Sequence, residues 1–238
     1  MESIIEEFTN DSTLLENGEW VEARPMQTLH EGSFREIGMQ KVFMVRHPEP
    51  YTFFECYKNK GVKNCRYYAG FPVYSFDMIS SMIREDETRE KKIAFFEGQE
   101  VPLRELTNLL QKKYPMPDGY EEKENLWVIV QGKRNGQPHQ VLMECLVPTL
   151  PDWKEAGCNI DTGFPASIIG QMILKGEITK FGSLAPEFCV PPELFFTALT
   201  KKNMTIWRNG VQLSAPYAHE KTTFQGVGAG AGVQFTSM

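Results

Sequence analysis

The hydrophobic pattern of this chain changes period several times, and each change marks an element. Leu126-Trp127-Val128-Ile129-Val130 precedes Asn135-Gly136, and Val141-Leu142-Met143 follows it. Asn and Gly tolerate the positive φ that a type I′ turn requires at both centres, so this stretch predicts a hairpin, the one with the longest arms. The same reasoning predicts shorter hairpins at Asn17-Gly18 and Asn209-Gly210, set among residues that suit a pleated, half-buried surface, such as Leu14-Leu15 and Thr205-Ile206-Trp207. Elsewhere apolar residues recur at helical spacing. Phe76, Ile79 and Ile83 make one stripe, Leu103, Leu106 and Leu110 a second behind Pro102, and Ile169, Met172 and Ile173 a third. Phe195, Ala198 and Leu199 make a fourth, opened by Pro191-Pro192-Glu193 and closed by Lys201-Lys202-Asn203, with acid and base where the helix dipole favours them. Strands and helices do not alternate regularly. The expected class is therefore α+β, a mixed and largely antiparallel sheet with helices on one face, rather than a doubly wound parallel sheet.

No internal repeat interrupts this pattern. The charged run from Arg84 to Lys92 reads as a solvated helix end or loop. Gly226, Gly228, Gly230 and Gly232 mark residues 214–238 as a flexible tail behind a domain spanning 1–213. The tail holds Gly-x-Gly pairs, but a dinucleotide fingerprint needs a strand before the glycines and a helix after them, and the sequence ends eight residues beyond Gly230.

Bulk composition narrows the function classes. The formal net charge of -6 argues against a nucleic-acid binder, which needs a basic face, while leaving room for a local basic pocket. Cys56, Cys65, Cys145, Cys158 and Cys189 are odd in number and lack C-x-x-C spacing, which fits reduced thiols better than disulfides or a thiolate zinc site. His30, His47, His139 and His219 are scattered, so no metal site is expected. The acidic N-terminus has no basic-then-apolar signal, and no apolar run approaches the ~18 residues of a membrane span. A cytoplasmic chain with no membrane partner is the expectation.

Three segments carry chemistry. Asp161-Thr162-Gly163-Phe164-Pro165-Ala166-Ser167 leads into the third helix, with Thr162 placed to cap and Gly163 to admit a backbone or ligand; free N–H groups there would attract a carboxylate or phosphate, although an ordinary capped helix is the plainer reading. His47-Pro48-Glu49-Pro50-Tyr51 is a rigid run bearing an imidazole, a carboxylate and a phenol, with Arg46 beside it as a carboxylate clamp. Its plainer reading is a turn between two strands. Tyr67, Tyr68, Phe71, Tyr74 and Phe76 cluster around Gly70 and Pro72, mostly as core and secondarily as a pocket wall.

These segments, in this order, resemble the C-terminal part of saccharopine-dehydrogenase-like proteins. Glu16-Asn17-Gly18-Glu19-Trp20-Val21-Glu22 resembles the stretch just after their nucleotide-binding half, and His47-Pro48-Glu49-Pro50 their His-Pro-Glu-Pro stretch. Tyr68-Ala69-Gly70-Phe71-Pro72, Thr162-Gly163-Phe164-Pro165-Ala166-Ser167 and Pro191-Pro192-Glu193-Leu194-Phe195 follow in the family's order, so the likeness runs from about Ile4 to Leu213. Members include saccharopine dehydrogenases and reductases, lysine 6-dehydrogenases and carboxynorspermidine synthases, which move hydride between a nicotinamide and the carbon of a C–N bond. The resemblance implies an α+β substrate domain that also builds a homodimer and binds an amino-acid-like small molecule. It makes His47 and Glu49 the candidate catalytic pair, and Arg46, Tyr51, Phe71, Thr162 and Gly163 the candidate substrate wall.

Family members begin with a Rossmann domain to which nothing in this sequence corresponds. The expectation is a chain that binds no cofactor alone and takes part in chemistry only with NAD or NADP held by that domain, which could be a separate chain. The family's helix after Pro165 packs toward the nucleotide half, so an apolar face is expected there. The rival expectation is a non-enzymatic, dimeric amino-acid-binding or assembly module that pairs through the hairpin around Asn135-Gly136.

Overall fold

Each Asn-Gly pair turns the chain back on itself. Asn17, Asn135 and Asn209 have φ of 52°, 52° and 49°, and the glycines that follow have 92°, 78° and 79°. These are the left-handed values that a two-residue turn needs and that other residues adopt at a cost. In this computed structural model the described residues are 2–72, 75–76, 79, 94–96, 99–101, 122–147, 149 and 159–213. They divide into two units, one of residues 1–33 and 39–120, the other of residues 34–38 and 121–238.

The first unit opens with helix α1 (Glu2–Thr9) and the hairpin of β1 (Ser12–Glu16) and β2 (Glu19–Ala23), paired antiparallel with Leu15 opposite Trp20. Strands β3 (His30–Phe34), β4 (Gly38–Met44) and β5 (Tyr68–Gly70) make a three-stranded sheet in that order, and helix α2 (Glu49–Tyr57) lies between β4 and β5 in sequence. A short pair, β6 (Ala94–Phe96) and β7 (Gln99–Val101), follows. The core gathers Phe8, Phe43, Val45, Phe76 and Ile79, with Phe71 and Tyr67 against it. Phe8 meets Phe43 edge-on at 4.7 Å and tilts onto Phe71 at 5.2 Å, geometries that aromatic quadrupoles favour. Phe76 and Ile79 are helical and buried, as their stripe predicts, whereas Ile83, the stripe at Leu103, Leu106 and Leu110, the run from Arg84 to Lys92, and Tyr74 lie outside the described residues.

The second unit is built on β8 (Glu124–Arg134) and β9 (Gln137–Val147), eleven residues each, joined by Asn135-Gly136. Strands β10 (Thr205–Arg208) and β11 (Val211–Gln212) complete an antiparallel sheet ordered β11-β10-β9-β8. Helices α3 (Asn159–Leu174), α4 (Pro186–Cys189) and α5 (Pro192–Thr200) accompany it. One sheet face carries Val147 and Ile206 into a core with Ile160, Ile168, Met172, Leu199 and Met204. Residues of the other face form a row, Trp127 opposite Glu144 opposite Trp207. The antiparallel α+β class is as expected, distributed over four small sheets. Residues 214–238 lie outside the described residues. Among the described residues no helix is long and apolar enough to cross a membrane.

Two helical expectations are corrected. The buried face of α3 is Ile160, Phe164, Ile168 and Met172, four residues apart, while Ile173 is exposed. The stripe of Ile169, Met172 and Ile173 mixes two faces, because α3 is apolar on both sides. And Pro48-Glu49-Pro50 does not make a turn between strands but starts α2: Pro50 sits in the first turn, where a missing N–H leaves nothing unpaired, and Tyr51 and Thr52 donate to the Pro48 carbonyl.

Glu144 lies in the apolar second half of β9, Val141 to Val147, and is only 4% exposed. Arg35 holds it in a fork, Nε to Oε1 at 3.3 Å and Nη2 to Oε2 at 3.0 Å, with the guanidinium 4.5 Å above the Trp207 ring. Asn125 Nδ2 donates to the Arg35 carbonyl at 3.0 Å. Arg35 is partly solvated whereas Glu144 is not, so the two partners are not equivalent. Arg35→Ala should cost ~3 kcal/mol by stranding a buried carboxylate, while Glu144→Leu should cost less than ~1 kcal/mol, since Arg35 can turn to water. Urea denaturation of both variants checks this; equal losses would contradict it.

Candidate functional site

The best-formed polar cluster of the first unit sits where β4 hands over to α2. Val45 is buried in the core, so the chain leaves it with Arg46 exposed and His47 half-buried. Pro48 and Pro50 fix φ on either side of Glu49. The two side chains are two residues apart and meet directly: His47 Nδ1 lies 2.6 Å from Glu49 Oε2. With Glu49 a carboxylate, acceptor only, Nδ1 carries the proton and Nε2 is left as the basic nitrogen. The imidazole stacks on Tyr67, centroids 4.0 Å apart and planes within 3° of parallel. Bond and stack hold the ring in one orientation, as a proton-transferring group requires.

Glu7 belongs to the same surroundings. Burial pushes its carboxyl above the ordinary range, and His47, when its ring is protonated, draws it part of the way back. Tyr51, one turn into α2, stacks on Trp20 at 4.7 Å, and Phe54 meets the same indole edge-on at 5.5 Å. Arg46, His47, Glu49 and Tyr51 are therefore neighbours along one short segment. Phe71 packs with Phe8 and Phe43 in the first core.

Thr162 and Gly163 belong to the second unit. Helix α3 begins at Asn159, three residues before Thr162, so neither residue is the cap that the sequence suggests; Thr162 Oγ1 donates instead to Asp161 Oδ1 at 3.3 Å. Both are exposed, and a Cβ on Gly163 would touch nothing within 4 Å. Near this helix start Cys145 is half-buried, and burial, with Asp161 as the lesser cause, pushes its thiol up to about 11. Such a thiol is not a nucleophile at neutral pH.

Sequence reasoning did not find two features. One is the Arg35–Glu144 fork; its signal was a lone carboxylate in Val141-Leu142-Met143-Glu144-Cys145-Leu146-Val147. The other is a groove of about 580 Å³ beside the end of α3, lined by Ile169, Ile173, Ile178, Phe181, Leu184 and Val190 among others. Phe181 and Ile173 of its lining are exposed, the former at 96%. Among the described residues no three His, Cys, Asp or Glu side chains converge as metal ligands. Gly163 and Gly170 lie inside α3.

A raised carboxyl at Glu7 has a signed consequence for stability. The native chain holds the Glu7 proton to higher pH than the unfolded chain, so stability falls as pH rises from the ordinary carboxyl value through the raised one and then levels off. Glu7→Gln should therefore be more stable than the parent at pH 7 and indistinguishable from it near pH 4, as read from thermal melts. A variant less stable than the parent at pH 7 would contradict the assignment.

A family model described as Saccharopine dehydrogenase C-terminal domain matches residues 1–204. No curated protein matches the chain.

Proposed function

Since the chain belongs to the saccharopine dehydrogenase C-terminal domain family, we propose that it is the substrate-side, dimerising part of an NAD(P)-dependent oxidoreductase. The proposed substrate is amino-acid-like, of the saccharopine or lysine type, and the bond acted on is C–N. The observation that carries this reading is the His47–Glu49 pair, an imidazole held at 2.6 Å by a carboxylate and stacked on Tyr67. Hydride leaves the carbon of a free amine and not of an ammonium, so a protonated substrate nitrogen must first give up a proton, and in the reverse direction takes one back. His47 Nε2, the ring nitrogen turned away from the Glu49 bond at Nδ1, takes or returns that proton. Arg46 and Tyr51, beside the pair, supply a positive charge and a phenol for a substrate carboxylate.

Hydride is the cofactor's business. The nicotinamide is assigned to a nucleotide-binding domain, in the same protein or in a separate chain. The exposed apolar lining of Ile173, Phe181 and Leu184 supports such a partner, because apolar surface of that kind normally finds a cover. On this reading the isolated chain does not turn over substrate.

Combining the chain with its nucleotide-binding domain allows the pair to be tested. Glu49→Gln should lower kcat by about a hundredfold or more while leaving KM within a few-fold, because the amide holds the imidazole less well and gives its charge no support. Unchanged kcat would remove the pair from the reaction.

A further inference from the structure

Tyr51 stands in the first turn of α2 and is 44% exposed. A half-exposed ring on a helix surface can hop between rotamers. Among the described residues no hydrogen bond fixes its hydroxyl, so ring packing decides where the phenol points. The packing partner is Trp20, stacked on Tyr51 at 4.7 Å with planes 24° apart. Phe54, three residues further along α2, meets the same indole at 5.5 Å and 77°. Residues three apart share a helix face, so α2 holds Trp20 with two rings. We propose that Trp20 is a positioning residue of the substrate site, holding the Tyr51 phenol where it meets a substrate carboxylate. The assignment rests on the substrate-side reading given above and adds to it a residue that sets affinity.

Strand pairing puts Trp20 and the support of His47 on one surface. Trp20 lies opposite Leu15 in the β1–β2 hairpin. Leu15 in turn lies opposite Cys65, each N–H donating to the other's carbonyl at 3.0 and 2.9 Å. Directly opposed residues point to the same face. From Cys65 to Gly70 half-buried and exposed residues alternate, which puts Tyr67 on the side of Cys65. Trp20, Leu15, Cys65 and Tyr67 therefore line one face. The segment from His47 to Tyr51 crosses it, with the imidazole on Tyr67 and the phenol ring on Trp20. Each group offered to the substrate thus has its own aromatic support. Leu15 is fully buried, so the strand that carries Trp20 is anchored in the core.

Calorimetric titration of the full chain with saccharopine and with lysine tests this. The parent should bind at least one of them saturably. Tyr51→Phe keeps the stack and removes the hydroxyl; it should raise the dissociation constant roughly tenfold, as expected for loss of a hydrogen bond to a charged group. Trp20→Leu, apolar but unable to stack, should raise it by a similar factor, while Trp20→Phe should stay within about threefold of the parent. In the Tyr51→Phe background Trp20→Leu should have little further effect, because the hydroxyl through which it acts is gone. Thermal melts show whether each variant folds. If Trp20→Leu does not, the Tyr51 ring signals of the parent by NMR, assigned from their loss in Tyr51→Phe, still decide: the bound compound must move them saturably. A further tenfold loss in the Tyr51→Phe background, unmoved Tyr51 signals, or binding indifferent to Tyr51→Phe would each overturn this inference and leave the His47–Glu49 reading standing. A parent that binds neither compound would overturn both.

Discussion

A two-residue turn at Asn135-Gly136 sets the parity of the longest pair of strands, and much of the second unit follows from that parity. With Arg134 opposite Gln137, Trp127 must fall opposite Glu144 and Leu126 opposite Cys145. One face then delivers Cys145 and Val147 to the core with α3 and α5, while the other delivers Glu144. A slip of one residue would drive the carboxylate into the apolar core and turn Val147 out of it, which is why the register is strongly specified. The carboxylate so placed needs a partner, and the forked Arg35 supplies it over the Trp207 ring.

The first unit depends on a different local constraint. Phe43 near the end of β4 and Val45 just past it are buried, and prolines at 48 and 50 restrict the course of the chain into α2. His47 and Glu49 meet because the residue between them is a proline, which fixes φ and removes a degree of freedom. Tyr67, brought back just ahead of β5, closes the stack. The pair therefore sits on a junction held by the aromatic core of Phe8, Phe43, Phe71 and Phe76.

Elements whose signal is local were legible in the sequence. The three Asn-Gly hairpins and α5, with Pro192 at its first position and Lys201 at its C-cap, appear as their residues predict. Helix α2 was not legible, because two prolines read as breakers when they stand at the one place in a helix that tolerates them. The start of α3 was read three residues late, since Thr162 looks like a cap whether or not Asn159-Ile160-Asp161 already turns. Glu144 shows the wider reason: a charge inside an apolar strand announces that it needs a partner, but that partner, Arg35, stands 109 positions away. Within the candidate site, chemical type and short-range order were readable in His47-Pro48-Glu49. The stack on Tyr67 and the influence of Glu7 depend on packing across the unit and could not be read from local sequence.

The central claim is that the His47–Glu49 junction faces an amino-acid-like substrate. The most direct measurement is a titration of the isolated chain with lysine and with saccharopine, followed through the imidazole ring signals by NMR, with the His47 signals assigned from their loss in His47→Gln. Substrate-side function predicts saturable movement of the His47 signals, with those of His139, which belongs to the other unit, unmoved. Binding that leaves His47 unmoved, or no binding of either compound at millimolar concentration, would contradict it.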